Sequence, residues 1–158
     1  MSIASHKELQ AFLKQYPEIT MLELLMPDLN GILRCKRIPA SEFDSFLNHG
    51  VKGPESTVLL NVLGEFCQEL DFVMAEGDPD KLILPVANSL APITWLKSDT
   101  AQILATFAQL DGDPSEYDCR NALINALKPL YSMGLKPVVA TELEFYLVEA
   151  GPDGLPSN

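Results

Sequence analysis

The run Val138-Val139-Ala140-Thr141-Glu142-Leu143-Glu144-Phe145-Tyr146-Leu147 is rich in β-branched and aromatic residues and reads as a strand. Side chains alternate along a strand, so Val139, Leu143, Phe145 and Leu147 share one face, and Glu142, Glu144 and Tyr146 the other. The two glutamates then have Cα atoms roughly 6.5 Å apart, close enough for their charges to repel in a partly buried pocket. A divalent cation removes that cost, and hard oxygen ligands suit Mg²⁺ or Mn²⁺. Taken alone, the spacing fits an ordinary solvent-facing strand better than a metal site, because Glu-x-Glu is frequent in exposed strands. The surrounding pattern has to decide.

Immediately upstream, Asp118 can cap a helix whose apolar face is Leu123, Ala126, Leu127, Leu130 and Tyr131, closed by Gly134. Before it, Asp111-Gly112-Asp113-Pro114 is the strongest break in the chain. A domain boundary is expected there, giving units 1–110 and 111–158. Further upstream, Ser5 and Glu8 form a capping box for a helix carrying Leu9, Phe12, Leu13 and Tyr16. Ile19 to Met26 and Ile32 to Ile38, joined through Pro27-Asp28-Leu29-Asn30-Gly31, read as a hairpin with a slightly long loop. A second helix starts at Pro39, buries Phe43, Phe46 and Leu47, and stops at Gly50. Thr57 to Leu63, Lys81 to Pro85 and Gln102 to Leu110 are read as strands of a mixed sheet. The fold class is therefore α+β, with a β-grasp arrangement over the first unit by pattern analogy.

With 22 acidic and 11 basic residues the net charge is −11, which disfavours nucleic acid and anionic membrane as partners. Cys35, Cys67 and Cys119 show no zinc or disulfide spacing and read as inert thiols. The start lacks the pattern of a signal peptide, and no stretch nears the ~20 apolar residues of a membrane span, so a cytoplasmic protein is expected. Asp78-Pro79-Asp80 and Asp111-Gly112-Asp113 do not continue into full ligand sets and read as turns. His6 and His49 have no neighbouring ligand in sequence, and Arg34, Lys36 and Arg37 form a basic edge whose role is open.

Glu142-Leu143-Glu144-Phe145-Tyr146-Leu147, behind a helix that begins Asp118-Cys119-Arg120, resembles the start of the catalytic domain of glutamine synthetases. Asp28-Leu29-Asn30-Gly31, Arg34 to Pro39, the Gly77-Asp78-Pro79-Asp80 turn with Pro85, and the Asp111–Pro114 junction follow in the order of that family. The resemblance covers about residues 17 to 150. It implies a β-grasp domain followed by the beginning of an α/β catalytic domain, ring-like homo-oligomers, and ATP with Mg²⁺ or Mn²⁺ as cofactors. It also implies that Glu142 and Glu144 each bind one of two metals. The implied reaction joins glutamate to ammonia or an amine through γ-glutamyl phosphate. No catalytic residue is expected within these 158 residues, so the chain alone is expected to be inactive, with its reading frame continuing past Asn158. Ammonia-using members carry Asp-Gly-Ser-Ser after the hairpin and helix, where this chain has Gly53-Pro54-Glu55-Ser56. That departure, with the two acidic turns, points to the γ-glutamyl-amine ligase branch and to an amine, such as a polyamine, as acceptor. A stand-alone β-grasp binding module is the reading from another class.

Overall fold

The structure is a computed structural model that describes residues 2–66, 77–95, 99–152 and 155–157. Helix α1 (His6–Gln15) starts where the Ser5 side chain accepts the Glu8 amide at 3.3 Å, and the apolar spacing buries Leu9 and Phe12. Only half of the capping box forms. The Glu8 carboxylate accepts from the Asn88 amide at 2.7 Å instead of returning to Ser5, because a backbone donor at a left-handed turn residue (Asn88 φ 59°) lies within its reach.

Strands β1 (Met21–Pro27) and β2 (Leu33–Pro39) form the expected hairpin, with Leu24 opposite Lys36. A 3₁₀ turn (Ala40–Glu42) leads into α2 (Phe43–His49), which buries Phe43 and Phe46. Gly50 ends it at φ 68°, where a Cβ would lie 2.7 Å from the Ile83 carbonyl oxygen. Strands β3 (Val51–Pro54), β4 (Asp80–Pro85), β5 (Ala91–Pro92) and β6 (Thr100–Ala108) complete the sheet. Its order is β2-β1-β6-β4-β3, with β5 also on β6. Among the described residues, β1 and β6 run parallel and the other pairs of this sheet are antiparallel.

Alternation along β1 and β6 puts Leu22, Leu24 and Met26 with Ala101, Ile103, Ala105 and Phe107 on one face, where they pack with Leu9, Phe12, Phe43 and Phe46. Helices α1 and α2 lie side by side over this face, joined by His6 to Asp44 (3.1 Å) and Asn48 (2.8 Å). The opposite face receives α3 (Cys119–Ser132) through Thr106, whose hydroxyl donates to Asp118 at 2.9 Å.

Two strand expectations are corrected. Residues 57–63 are not a strand: Glu55–Leu59 is a 3₁₀ helix with Val58 and Leu59 buried. The edge of β4 there is already taken by β3, with Pro54 opposite Asp80, and the Ser56 amide is turned onto the Asp78 carboxylate at 3.4 Å. No ladder edge remains for the next residues. The second correction concerns residues 138–147, which are not a strand but irregular. No other strand among the described residues pairs with this segment, and a strand without a neighbour leaves its amides and carbonyls unpaired. The short strands β7 (Glu149–Ala150) and β8 (Pro156–Ser157) pair with each other in a separate two-stranded sheet.

Candidate functional site

After Gly134 (φ 74°) closes α3, residues 135–148 run exposed. Glu142 and Glu144 are both exposed, and among the described residues neither carboxylate meets a hydrogen-bond or ion-pair partner. The expected packing of Leu143 and Phe145 on the other side of a strand is absent: Phe145 is 75% exposed and Val138 98%. Among the described residues no group of three or more His, Cys, Asp or Glu stands ready to hold a metal. Two carboxylates are the kind of oxygen ligand that suits Mg²⁺, but two alone do not make a site. A cleft of about 280 Å³ between α3 and the sheet, lined in part by Leu84, Thr106, Asn121, Ile124 and Lys128, contains neither of them.

The α3 face expected to be apolar is also largely open, with Leu123 and Tyr131 exposed, as are Met133, Leu135, Val139 and Leu147. Exposed apolar side chains in this number favour association. Residues 1–158 alone are therefore expected to sediment as species larger than a monomer at micromolar concentration, and a clean monomer would contradict this.

The basic edge has partners. Arg34 donates from Nε (2.9 Å) and pairs from Nη2 (2.8 Å) with Asp28 Oδ2, while Nη2 also reaches the Asn61 carbonyl at 3.1 Å. Lys36 donates to the Lys52 carbonyl at 2.7 Å, and Arg37 to Glu23 Oε1 at 2.6 and 2.9 Å. Asp28 is the centre of the hairpin loop: its Oδ1 accepts the amides of Asn30 (2.8 Å) and Ile32 (2.9 Å). Burial alone would raise this carboxyl, but the Ile32 and Asn30 amides and Arg34 outweigh it and hold it below the ordinary carboxylate value. Cys35 is raised by burial and then by Glu23, Cys119 by burial and then by Asp118, so both stay as thiols of low nucleophilicity. Cys67 lies outside the described residues.

Sequence reasoning did not anticipate a third constellation, a set of buried polar side chains between the 53–56 loop and the first turn of α3. Glu55, Ser56, Ser115, Asp118 and Asn121 are all buried. Ser115 donates from Oγ to Glu55 Oε1. Asp118 caps α3 through the Arg120 (2.8 Å) and Asn121 (3.3 Å) amides, and its other oxygen accepts from Thr106 and the Phe107 amide. Asn121 Nδ2 donates to the carbonyls of Phe107 (3.1 Å) and Ser115 (3.0 Å). The Asp118 cap was legible from its place before an apolar run; its second oxygen was not.

No protein-family model matches the chain. Among curated proteins, gamma-glutamylputrescine synthetase PuuA of Escherichia coli (strain K12) is 36% identical over 147 residues, covering 93% of this chain and 31% of that protein. Glutamine synthetase of Methanosarcina mazei is 26% identical over 142 residues, 89% of this chain and 29% of that one. The chain belongs to the glutamine synthetase family. Another relative is the glutamate–isopropylamine ligase of a Pseudomonas species, 29% identical over 135 residues, 82% of this chain and 28% of that protein. The chain thus spans about a third of the length of the curated relatives it matches. Two solved GmaS structures, an ADP complex and a form without ligand, share the fold with TM-scores of 0.61 and 0.62. They are 22% and 21% identical, over 79% and 80% of this chain and 26% and 27% of theirs.

Proposed function

We propose that this chain is the N-terminal part of an ATP-dependent ligase that joins the γ-carboxylate of glutamate to an amine. The observation that carries the reading is the 36% identity to a γ-glutamylputrescine synthetase across nearly the whole chain. A second amine ligase among the relatives and the Gly53-Pro54-Glu55-Ser56 loop in place of Asp-Gly-Ser-Ser support it. The order β2-β1-β6-β4-β3, with β1 and β6 parallel at the centre and α2 following the hairpin, supports a β-grasp unit over residues 1–110. Residues 111–158 then begin the catalytic domain. A ring-like homo-oligomer in the cytoplasm belongs to the same reading, in keeping with the exposed apolar surface along residues 123–148 and with the absence, among the described residues, of a helix able to cross a membrane.

In the proposed reaction a γ-carboxylate oxygen of glutamate attacks the γ-phosphorus of ATP and ADP leaves. The amine nitrogen then attacks the acyl carbon, loses a proton, and phosphate leaves with the former carboxylate oxygen. Glu142 and Glu144 are the residues here that would hold Mg²⁺ or Mn²⁺. When bound, the metal supplies positive charge to the transferred phosphoryl oxygens. In this reading the rest of the ligand set comes from groups outside residues 138–147, which are irregular and exposed.

Glutamine synthesis from ammonia is the second reading, favoured by the Methanosarcina relative. Steady-state phosphate release by the protein encoded by the complete reading frame, with glutamate and either ammonium, putrescine or a monoamine, separates the two. A kcat/KM for an amine at least about tenfold above that for ammonium is expected. Equal or better use of ammonium would overturn the amine reading.

A further inference from the structure

Glu55 lies in the 53–56 loop, which is held by hydrogen bonds to two carboxylates, that of Asp78 and its own. From outside, Asp78 accepts the Ser56 hydroxyl at 2.6 Å and its amide at 3.4 Å. It does so from a left-handed backbone (φ 50°), a conformation unfavourable for a non-glycine residue that persists where its surroundings over-determine it. From inside, Glu55 is 4% exposed and meets Ser115, itself 1% exposed and 60 residues further along the chain. Ser115 cannot drift. Its amide donates to the Phe107 carbonyl at 3.1 Å, its carbonyl accepts from Asn121, and its Oγ accepts the Tyr117 amide at 3.1 Å. On the other side of the loop, Gly53 lies so close to Ile83 that a Cβ would sit 2.8 Å from its Cδ1. The loop is thus held between the sheet and the start of α3, and its solvent face consists of Lys52 and Pro54.

We infer that Glu55 is a positioning residue: its carboxylate clamps the 53–56 loop to Ser115 and makes no contact with the acceptor. The inference rests on the ligase reading for the reaction it serves. Its physical reason is the cost of the alternative. A buried carboxylate is tolerated when hydrogen-bonded, and turning Glu55 outward toward an amine would leave Ser115 with a buried hydroxyl lacking its acceptor. An amide at position 55 still offers an oxygen to Ser115, so the clamp survives loss of the charge. A direct ligand of a cationic amine does not.

The test uses the protein from the complete reading frame and the acceptor that the wild type uses best. Glu55→Gln is expected to keep the acceptor KM within about twofold, whereas Ser115→Ala and Glu55→Ala each raise it about tenfold or more with the ATP KM unchanged. The Glu55→Ala, Ser115→Ala double variant is expected to be no worse than either single, the signature of two groups acting through one contact. Thermal melts of the same proteins are expected to show the same non-additivity, independently of turnover. If Glu55→Ala does not fold, Glu55→Gln against Ser115→Ala still decides. A Glu55→Gln protein with a KM raised as far as that of Ser115→Ala, additive effects, or equal shifts in the ATP and acceptor KM would each overturn the clamp. A wild type that prefers ammonium would refute the amine reading while leaving the clamp to stand or fall on these ratios; one without ligase activity would refute the reaction and leave the melts to judge the contact.

Discussion

Glu142→Gln or Glu144→Gln, made in the protein from the complete reading frame, is expected to lower kcat/KM by about two to three orders of magnitude. Each change preserves side-chain size and removes one negative charge from the proposed ligands of the metal, whose positive charge would offset that of the phosphoryl oxygens, so the expected loss is of transition-state stabilisation rather than of shape. The half-saturating Mg²⁺ concentration should rise in both variants. Glu18→Gln, an exposed acid at the end of α1's connection to β1, should leave both quantities unchanged. Neither Glu142 nor Glu144 has a structural partner among the described residues, so folding should be unaffected, and a fall in activity can be assigned to the metal. Full activity of both variants at limiting Mg²⁺ would refute the assignment.

Asp28→Ala is expected to cost about 3–5 kcal/mol of stability near neutral pH, the range for removing one partner of a buried charge pair. Four contacts vanish together: the Asn30 and Ile32 amides and the two Arg34 donors. Arg34 would be left half-buried without its counter-charge. Because the folded Asp28 carboxyl is held below its ordinary value, its contribution is complete above the unfolded value of about 3.9 and is lost as pH falls through the folded one. Urea unfolding of wild type and variant should therefore differ by this full amount at about pH 7 and converge progressively below about pH 3.9. A difference under about 1 kcal/mol at neutral pH, typical of an exposed ion pair, would contradict the assigned role.

Much of the sheet and both of its covering helices could be read from the residues, because each signal was local. Ser5 before an apolar i, i+3, i+4 run, the Pro27–Gly31 loop between two β-favouring runs, Gly50 after Phe43 and Phe46, and Asp118 before α3 all encode their own geometry. Strand β3 was missed because Val51-Lys52-Gly53-Pro54 has neither length nor alternation; its partner, β4, begins 26 residues after it ends. Thr57 to Leu60 has strand composition, but burial of Val58 and Leu59 is achieved in a 3₁₀ turn, and composition does not separate the two outcomes. For the site, the family pattern singles out Glu142 and Glu144 as proposed ligands, while their expected strand depended on ladder partners that the chain's own pattern does not supply. The buried acids Asp28 and Glu55 were least legible: an acid in a turn has the same sequence whether it faces water or, like Glu55, a serine 60 residues away.

The proposed chemistry runs through an acyl phosphate on glutamate, with an amine as the second nucleophile. It is tested most directly by supplying the protein from the complete reading frame with ATP, putrescine and glutamate labelled with ¹⁸O in its γ-carboxylate. One labelled oxygen per released phosphate, with a γ-glutamyl amide of putrescine formed in equal amount, is the predicted result. Unlabelled phosphate, or label carried instead into AMP, would contradict it.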